Sequence, residues 1–203
     1  MSPLNGLSVR PDAKIKSSMK KFAVFCDRDG VINKEVNYLH KLEDLKILPK
    51  VSEAIKLLNQ HKIPIIVITN QPAVAKGLIN EKGIKGIHQE IQQFLAPQGA
   101  KIDYFLFCPH HPNANLRKYR VECDCRKPKV GLFKKAAQDY DINLKNSYII
   151  GDTYRDIEAG KNLGCKTIAV ESGHSDFRDS KPDFLVKDLF EAVKLILKRE
   201  GLR

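Results

Sequence analysis

No apolar run in the chain approaches the ~20 residues that a membrane-crossing helix needs, so a membrane-spanning helix is not expected. Residues 1–21 (MSPLNGLSVRPDAKIKSSMKK) have no apolar h-region, so a secretory signal is not expected. Internal repeats and low-complexity tracts are absent, as is any long basic run interleaved with aromatics. That last absence bears on the net charge of +11, from 35 Lys and Arg against 24 Asp and Glu. Excess positive charge attracts phosphate in nucleic acid, at membrane surfaces or on small substrates. Scattered lysines fit a solvated surface better than a nucleic-acid groove. Methionine is scarce: Met19 is one of two and stands just before the first expected strand. Residues 1–20 are therefore expected to form a poorly ordered arm, and 21–203 the functional domain. A product lacking residues 1–18 should keep full activity. The five cysteines are an odd number, with three at 108, 123 and 125. Without a signal peptide, that clustering favours a metal over disulfides.

Two hundred and three residues are enough for one domain with a full core. Alternating strand-like and helix-like segments indicate an α/β fold. Phe22 to Asn33 (FAVFCDRDGVIN) organises the rest. Phe22 to Cys26 reads as a buried strand, apolar and free of Gly and Pro. Asp27 and Asp29 follow at its exit, and Gly30 permits a sharp turn. Close carboxylates repel, so a site holding both has a cation between them or a proton on one. That pattern fits a Mg2+ site in which one Asp attacks and the other moves protons. A polar turn capping a core strand is the structural alternative.

Residues 33–48 read as a loop leading to a short extended piece that walls the site. Pro49 stands at the start of an expected helix carrying Val51, Ala54, Ile55 and Leu58. Ile63 to Ile68 is a second strand, ending in Thr69-Asn70-Gln71, which can bind an anion or cap a turn. Residues 72–79 read as a loop. Asn80 is placed as the cap of a helix reaching Leu95. Ile102 to Phe107 is a third strand. Gly131 to Tyr140 is a helix, and Ser147 to Ile150 a fourth strand ending in Gly151-Asp152. Asp156 stands at the next helix start as a cap or a brace, and Gly164 ends that helix. A fifth strand spans Lys166 to Val170, a short extended piece Phe184 to Val186, and a last helix Leu189 to Leu197. Parallel sheets collect ligands at the carboxyl ends of their strands. Asp27, Thr69, Cys108 and Asp152 all lie at such ends.

Between the third strand and the next helix the pattern is Cys108-x-His110, twelve intervening residues, then Cys123-x-Cys125. Thiolate and imidazole are the ligands of tetrahedral zinc, and four protein ligands leave no open position. A structural zinc is expected to pin this loop, with His111 a possible substitute for His110. Arg126 and Lys127 follow directly on the last ligand. A fixed loop would hold two cations in defined places for phosphate.

DRDGVIN, ITNQ, a Lys before Pro, and GDTYRD occur in that order. Together they resemble the four motifs of the haloacid dehalogenase (HAD) superfamily of phosphotransferases. The loop CPHH…CDCRKP narrows the resemblance to two zinc-containing groups, the heptose bisphosphate phosphatases and, second, the histidinol-phosphate phosphatases. The likeness covers about residues 20 to 195. It implies a three-layer Rossmann-like sandwich with a central, mainly parallel sheet and no large cap domain. It implies a cytoplasmic Mg2+-dependent phosphatase acting on a phosphorylated small molecule that feeds lipopolysaccharide or S-layer heptose. A monomer is expected, with no nucleic-acid or membrane partner. Carried over by residue, Asp27 is the nucleophile and Asp29 the general acid and base. Thr69 and Lys127 hold the phosphoryl group. Asp27, the backbone carbonyl of Asp29, and Asp152 bind Mg2+, while Cys108, His110, Cys123 and Cys125 bind Zn2+. Arg126, Asn37, Tyr38, Asn70 and Gln71 fall in substrate segments. Thr153 departs from the heptose group, which typically has a Lys there. A different class, a zinc-ribbon nucleic-acid-binding module, leaves the strand-end carboxylates unexplained, because they repel DNA phosphates.

Overall fold

The computed structural model describes residues 22–202. The expectations for the N-terminal arm and for Met19 lie outside that range. Six parallel strands form one sheet: β1 (Val24–Cys26), β2 (Ile65–Asn70), β3 (Tyr104–Cys108), β4 (Tyr148–Gly151), β5 (Lys166–Val170) and β6 (Phe184–Val186). Their spatial order is β3-β2-β1-β4-β5-β6. The chain thus grows outward from β1, then returns beside β1 as β4, creating a switch point between those two strands. At such a point the loops leaving the two strands part in opposite directions and leave a crevice.

The strands alternate because both faces of the sheet are covered. Val24 and Cys26 of β1 join one apolar cluster and Phe25 joins the other. Helices α1 (Val51–Gln60), α3 (Glu81–Leu95) and α6 (Leu189–Arg199) cover the first face. Helices α4 (Gly131–Tyr140) and α5 (Tyr154–Leu163) cover the second. On α3, Ile84, Ile87, Ile91 and Leu95 recur at helical spacing and are all buried. The Asn80 side chain caps that helix by accepting from the Gly83 N–H at 2.8 Å. This is the three-layer sandwich that the resemblance implied.

The boundaries shift for identifiable reasons. Strand β2 starts at Ile65 and not at Ile63, since Pro64 has no N–H for a ladder. It continues through Thr69 and Asn70, which pair with Phe107 and Cys108. Residues 72–79 are not all loop: Pro72–Ala75 form a short helix, α2, with proline at its start and Ala73, Val74 and Ala75 buried. Helix α1 begins at Val51, because Lys50 before it takes a left-handed conformation (φ 60°). Helix α6 runs two residues beyond the expected Leu197. Among the described residues no helix is long and apolar enough to cross a membrane.

Candidate active site

The register brings the acidic residues together. Cys26 pairs with Ile150 on one side and Val67 on the other. Asp27 therefore leaves β1 level with the end of β4, and its N–H donates to the Ile150 carbonyl at 3.0 Å. Asp152 follows β4 directly. Carboxylate oxygens of Asp27, Asp152 and Asp156 all lie within 4.8 Å of one another. Burial, opposed by Lys127 and reinforced by neighbouring carboxylates, pushes Asp27 up to about 6. Burial, then Asp27 and Asp156, push Asp152 up to about 7. Such crowding is what a bound cation relieves, and hard oxygen donors in this number suit Mg2+.

Lys127 answers part of that charge. It is 3% exposed, yet its ammonium spends its donors within the site. Nζ donates to the Ile68 carbonyl at 2.7 Å and lies 2.6 Å from Asp156 Oδ1 and 3.0 Å from Asp27 Oδ2. Asp156 also accepts from the Thr153 hydroxyl at 2.9 Å. It is thus a brace for Lys127, and the hydroxyl of Thr153 is turned inward. Asn70 fixes the lysine's backbone from β2: its Oδ1 accepts from Lys127 N at 3.0 Å and its Nδ2 donates to Lys127 O at 3.1 Å.

Asp29 sits among donors. Arg28, fully buried, donates from Nη2 to both its oxygens at 2.9 Å. Asn33 adds a bond at 2.9 Å and Gln71 one at 2.8 Å. Gln71 also donates to the Thr69 hydroxyl at 2.9 Å and accepts from Arg28 at 3.0 Å. Gln71 is therefore first a brace between Asp29 and Thr69. Gly30 (φ +78°) makes the turn that returns the chain beneath this pair, and a Cβ there would meet Asp152.

These groups open on a cleft of about 280 Å³. It holds Asp27, Asp29, Thr69, Asn70, Gln71, Arg126 and Asp152, with Asn37 and Tyr38 from the 33–48 segment. Lys127 lies beneath its floor. Sequence reasoning missed four residues here. Arg28 carried a signal, since a charged residue between two strand-end carboxylates is placed to pair with one. Glu35 was in view only as part of the 33–48 wall, without a role of its own, and His174 carried no signal: they approach from separate loops, 3.5 Å apart, and His174 N donates to Asp152 Oδ2 at 2.8 Å. Burial, then Asp29, Asp152 and Asp27, lift Glu35 to about 8. Arg155, in the first turn of α5, is the fourth. Burial, and among the nearby charges that of Arg155, pull Arg126 below its usual value.

Beside the cleft, ligand atoms of Cys108, His110, Cys123 and Cys125 lie within 4.8 Å of one another. Cys125 Sγ is 3.1 Å from Cys108, 3.2 Å from Cys123 and 3.2 Å from His110 Nδ1. His110 and not His111 joins the cluster; His111 Nδ1 accepts from Asn113 N at 3.0 Å, and the residue faces the cleft. Three thiols and one imidazole could hold a tetrahedral zinc with no open position.

Carboxylates and one lysine gathered at the switch point of a parallel sheet are equipped to move a phosphoryl group, and their order along the strands is that of the HAD phosphatases. The comparisons agree. The HAD-hydrolase-like family description matches residues 124–192. A D-glycero-alpha-D-manno-heptose-1,7-bisphosphate 7-phosphatase of Photorhabdus laumondii is 37% identical over 173 residues, covering 85% of this chain and 94% of the relative. A D-glycero-beta-D-manno-heptose-1,7-bisphosphate 7-phosphatase of Rhodopseudomonas palustris is 38% identical over 160 residues, covering 79% and 89%. The crystal structure of D,D-heptose 1,7-bisphosphate phosphatase from B. bronchiseptica, complexed with magnesium and phosphate, superposes with a TM-score of 0.77. It is 28% identical and covers 89% of this chain and 99% of that one. The chain belongs to the D-glycero-D-manno-heptose-1,7-bisphosphate 7-phosphatase family of HAD-like hydrolases.

Proposed function

We propose that the chain removes the 7-phosphate of D-glycero-D-manno-heptose 1,7-bisphosphate through an aspartyl phosphate on Asp27. The observation that carries the reading is the meeting of Asp27, Asp152 and Asp156 around one point, with the Lys127 ammonium 3.0 Å from Asp27. Asp27, Asp152 and the backbone carbonyl of Asp29 would hold Mg2+, which screens the repulsion between the nucleophile and the phosphate. An Asp27 carboxylate oxygen attacks phosphorus in line, and the bond to the sugar oxygen breaks. Asp29, which in the Arg28 fork only accepts hydrogen bonds, turns out of it, takes up a proton from solvent in the cleft and gives that proton to the sugar oxygen. Water then attacks the aspartyl phosphate and Asp29 takes its proton. Inorganic phosphate leaves and the Asp27 carboxylate is restored. Thr69 and Lys127 stabilise the phosphoryl oxygens as charge redistributes.

Selection falls to the loops, since among the described residues no separate cap covers the cleft. Asn37 and Tyr38 contact the sugar, Asn70 and Gln71 set the floor, and Arg126 takes the second phosphate. Cys108, His110, Cys123 and Cys125 hold a structural Zn2+, which fixes the loop that delivers Arg126 and Lys127. The enzyme works as a cytoplasmic monomer. Catalytic efficiency on heptose 1,7-bisphosphate (both anomers), heptose 7-phosphate and histidinol phosphate tests the reading. The bisphosphate should be hydrolysed most efficiently, and a preference for histidinol phosphate would overturn it.

A further inference from the structure

Arg155 is half-buried in the cleft wall but has no carboxylate within ion-pair distance among the described residues. Its guanidinium lies 5.1 Å from the Tyr154 ring centre, and Arg178 covers the same ring at 3.8 Å. Those contacts orient Arg155 without consuming its N–H donors. Arg126, also in the cleft, is steadied by donating from Nη1 to the His110 carbonyl at 2.9 Å and has no anionic partner among the described residues either. Arg126 and Arg155 line the same cleft, and two guanidinium groups there that pair with no carboxylate among the described residues carry a charge that a bound dianion would answer. Arg155 also stands in the first turn of a ten-residue helix, where the peptide dipoles favour negative charge. Thr153, the other polar side chain of this turn facing the cleft, is tied to Asp156 and offers no cation.

We propose that Arg155 forms, with Arg126, a clamp for the second phosphate, and so sets the preference for a bisphosphate over a monophosphate. This rests on the bisphosphate reading above. The geometry gives one phosphoryl group to the Asp27–Lys127 end and the other to the two arginines. A sugar with a phosphate at each end is the ligand class such a cleft takes.

The test compares kcat/KM on heptose 1,7-bisphosphate with that on heptose 7-phosphate, for the wild type and for Arg155→Gln. Losing one charge-assisted contact should lower the bisphosphate-to-monophosphate ratio about 10- to 100-fold. A ratio unchanged within about twofold, while the wild type still prefers the bisphosphate, overturns the role of Arg155 and leaves the substrate reading standing. A wild type with no preference for the bisphosphate overturns both. Arg155→Lys, which keeps the charge, should retain the larger part of the ratio; a loss equal to that of Arg155→Gln would refute a charge-based clamp.

Discussion

Replacing Lys127 with methionine probes the site and the fold together. The substitution keeps the length of the side chain and deletes its charge. The ammonium is enclosed, with side-chain exposure of 2%, and Asp156 beside it is at 1% and Asp27 at 14%. Removing it leaves two carboxylates facing each other in a low-dielectric pocket and the Ile68 carbonyl without its donor. Breaking a buried pair from one side costs about 3–5 kcal/mol, whereas an exposed pair is worth at most about 1 kcal/mol. For a domain of this size that corresponds to a fall in melting temperature of roughly 6–20 °C. Adding Asp156→Asn should recover about 1–3 kcal/mol, because one unpaired charge is then gone. Activity should fall about 100- to 1000-fold in both variants, since a donor to the phosphoryl group is missing. Thermal melts read the first effect and steady-state kinetics the second. A melting temperature within about 3 °C of wild type would refute the claim that this lysine is the buried counter-charge of the site.

Other perturbations reach the same network from different sides. In Gly173→Ala the new Cβ would overlap the buried Asp152 side chain from its carboxylate back to its own Cβ; the Mg2+ concentration for half-maximal activity should rise about tenfold, and the melting temperature should fall with it. Cys123→Ser should release zinc and loosen the loop, and an unchanged zinc content by elemental analysis would remove the zinc assignment. In magnesium-free buffer the folded chain holds protons on Asp27 (about 6) and Asp152 (about 7) that the unfolded chain has lost above about 4. These two groups therefore subtract stability as pH rises from about 4 to 7, while the buried His88, held well below its usual value by burial, adds stability over the same range. Against Asp152→Asn measured in parallel, the wild type should lose stability with rising pH, and added Mg2+ should remove the difference above pH 7. Metal-free melting profiles of the same slope for wild type and Asp152→Asn would contradict the crowding.

Most of the sheet could be read from β-branched and apolar runs, because strands buried on both faces leave continuous stretches such as IPIIVI and SYII. The end of β2 was less legible. Thr69 and Asn70 look like turn residues, yet pairing with β3 carries the strand through them. The short helix Pro72–Ala75 was hidden because its stability comes from burial of three small residues and not from its own periodicity. At the site, the residues on strand ends were legible, since carboxylates after an apolar run are conspicuous. Arg28 was in view without an assignment: its bidentate bond to Asp29 depends on a fully enclosed side chain, which sequence alone does not reveal. Glu35 was legible only as part of the segment expected to wall the site, and His174 was not legible at all. His174 reaches Asp152 through its backbone N–H, an interaction that any residue but proline could make.

The nucleophile is the hinge of the account, and it can be caught chemically. Wild-type protein would be mixed with Mg2+ and heptose 1,7-bisphosphate, quenched in acid during turnover and treated with borohydride, which reduces an acyl phosphate to an alcohol. Peptide mass spectrometry should then find the reduced side chain at position 27 and nowhere else. Full turnover with an unmodified Asp27, or with the label on Asp29 or Asp152, would contradict it.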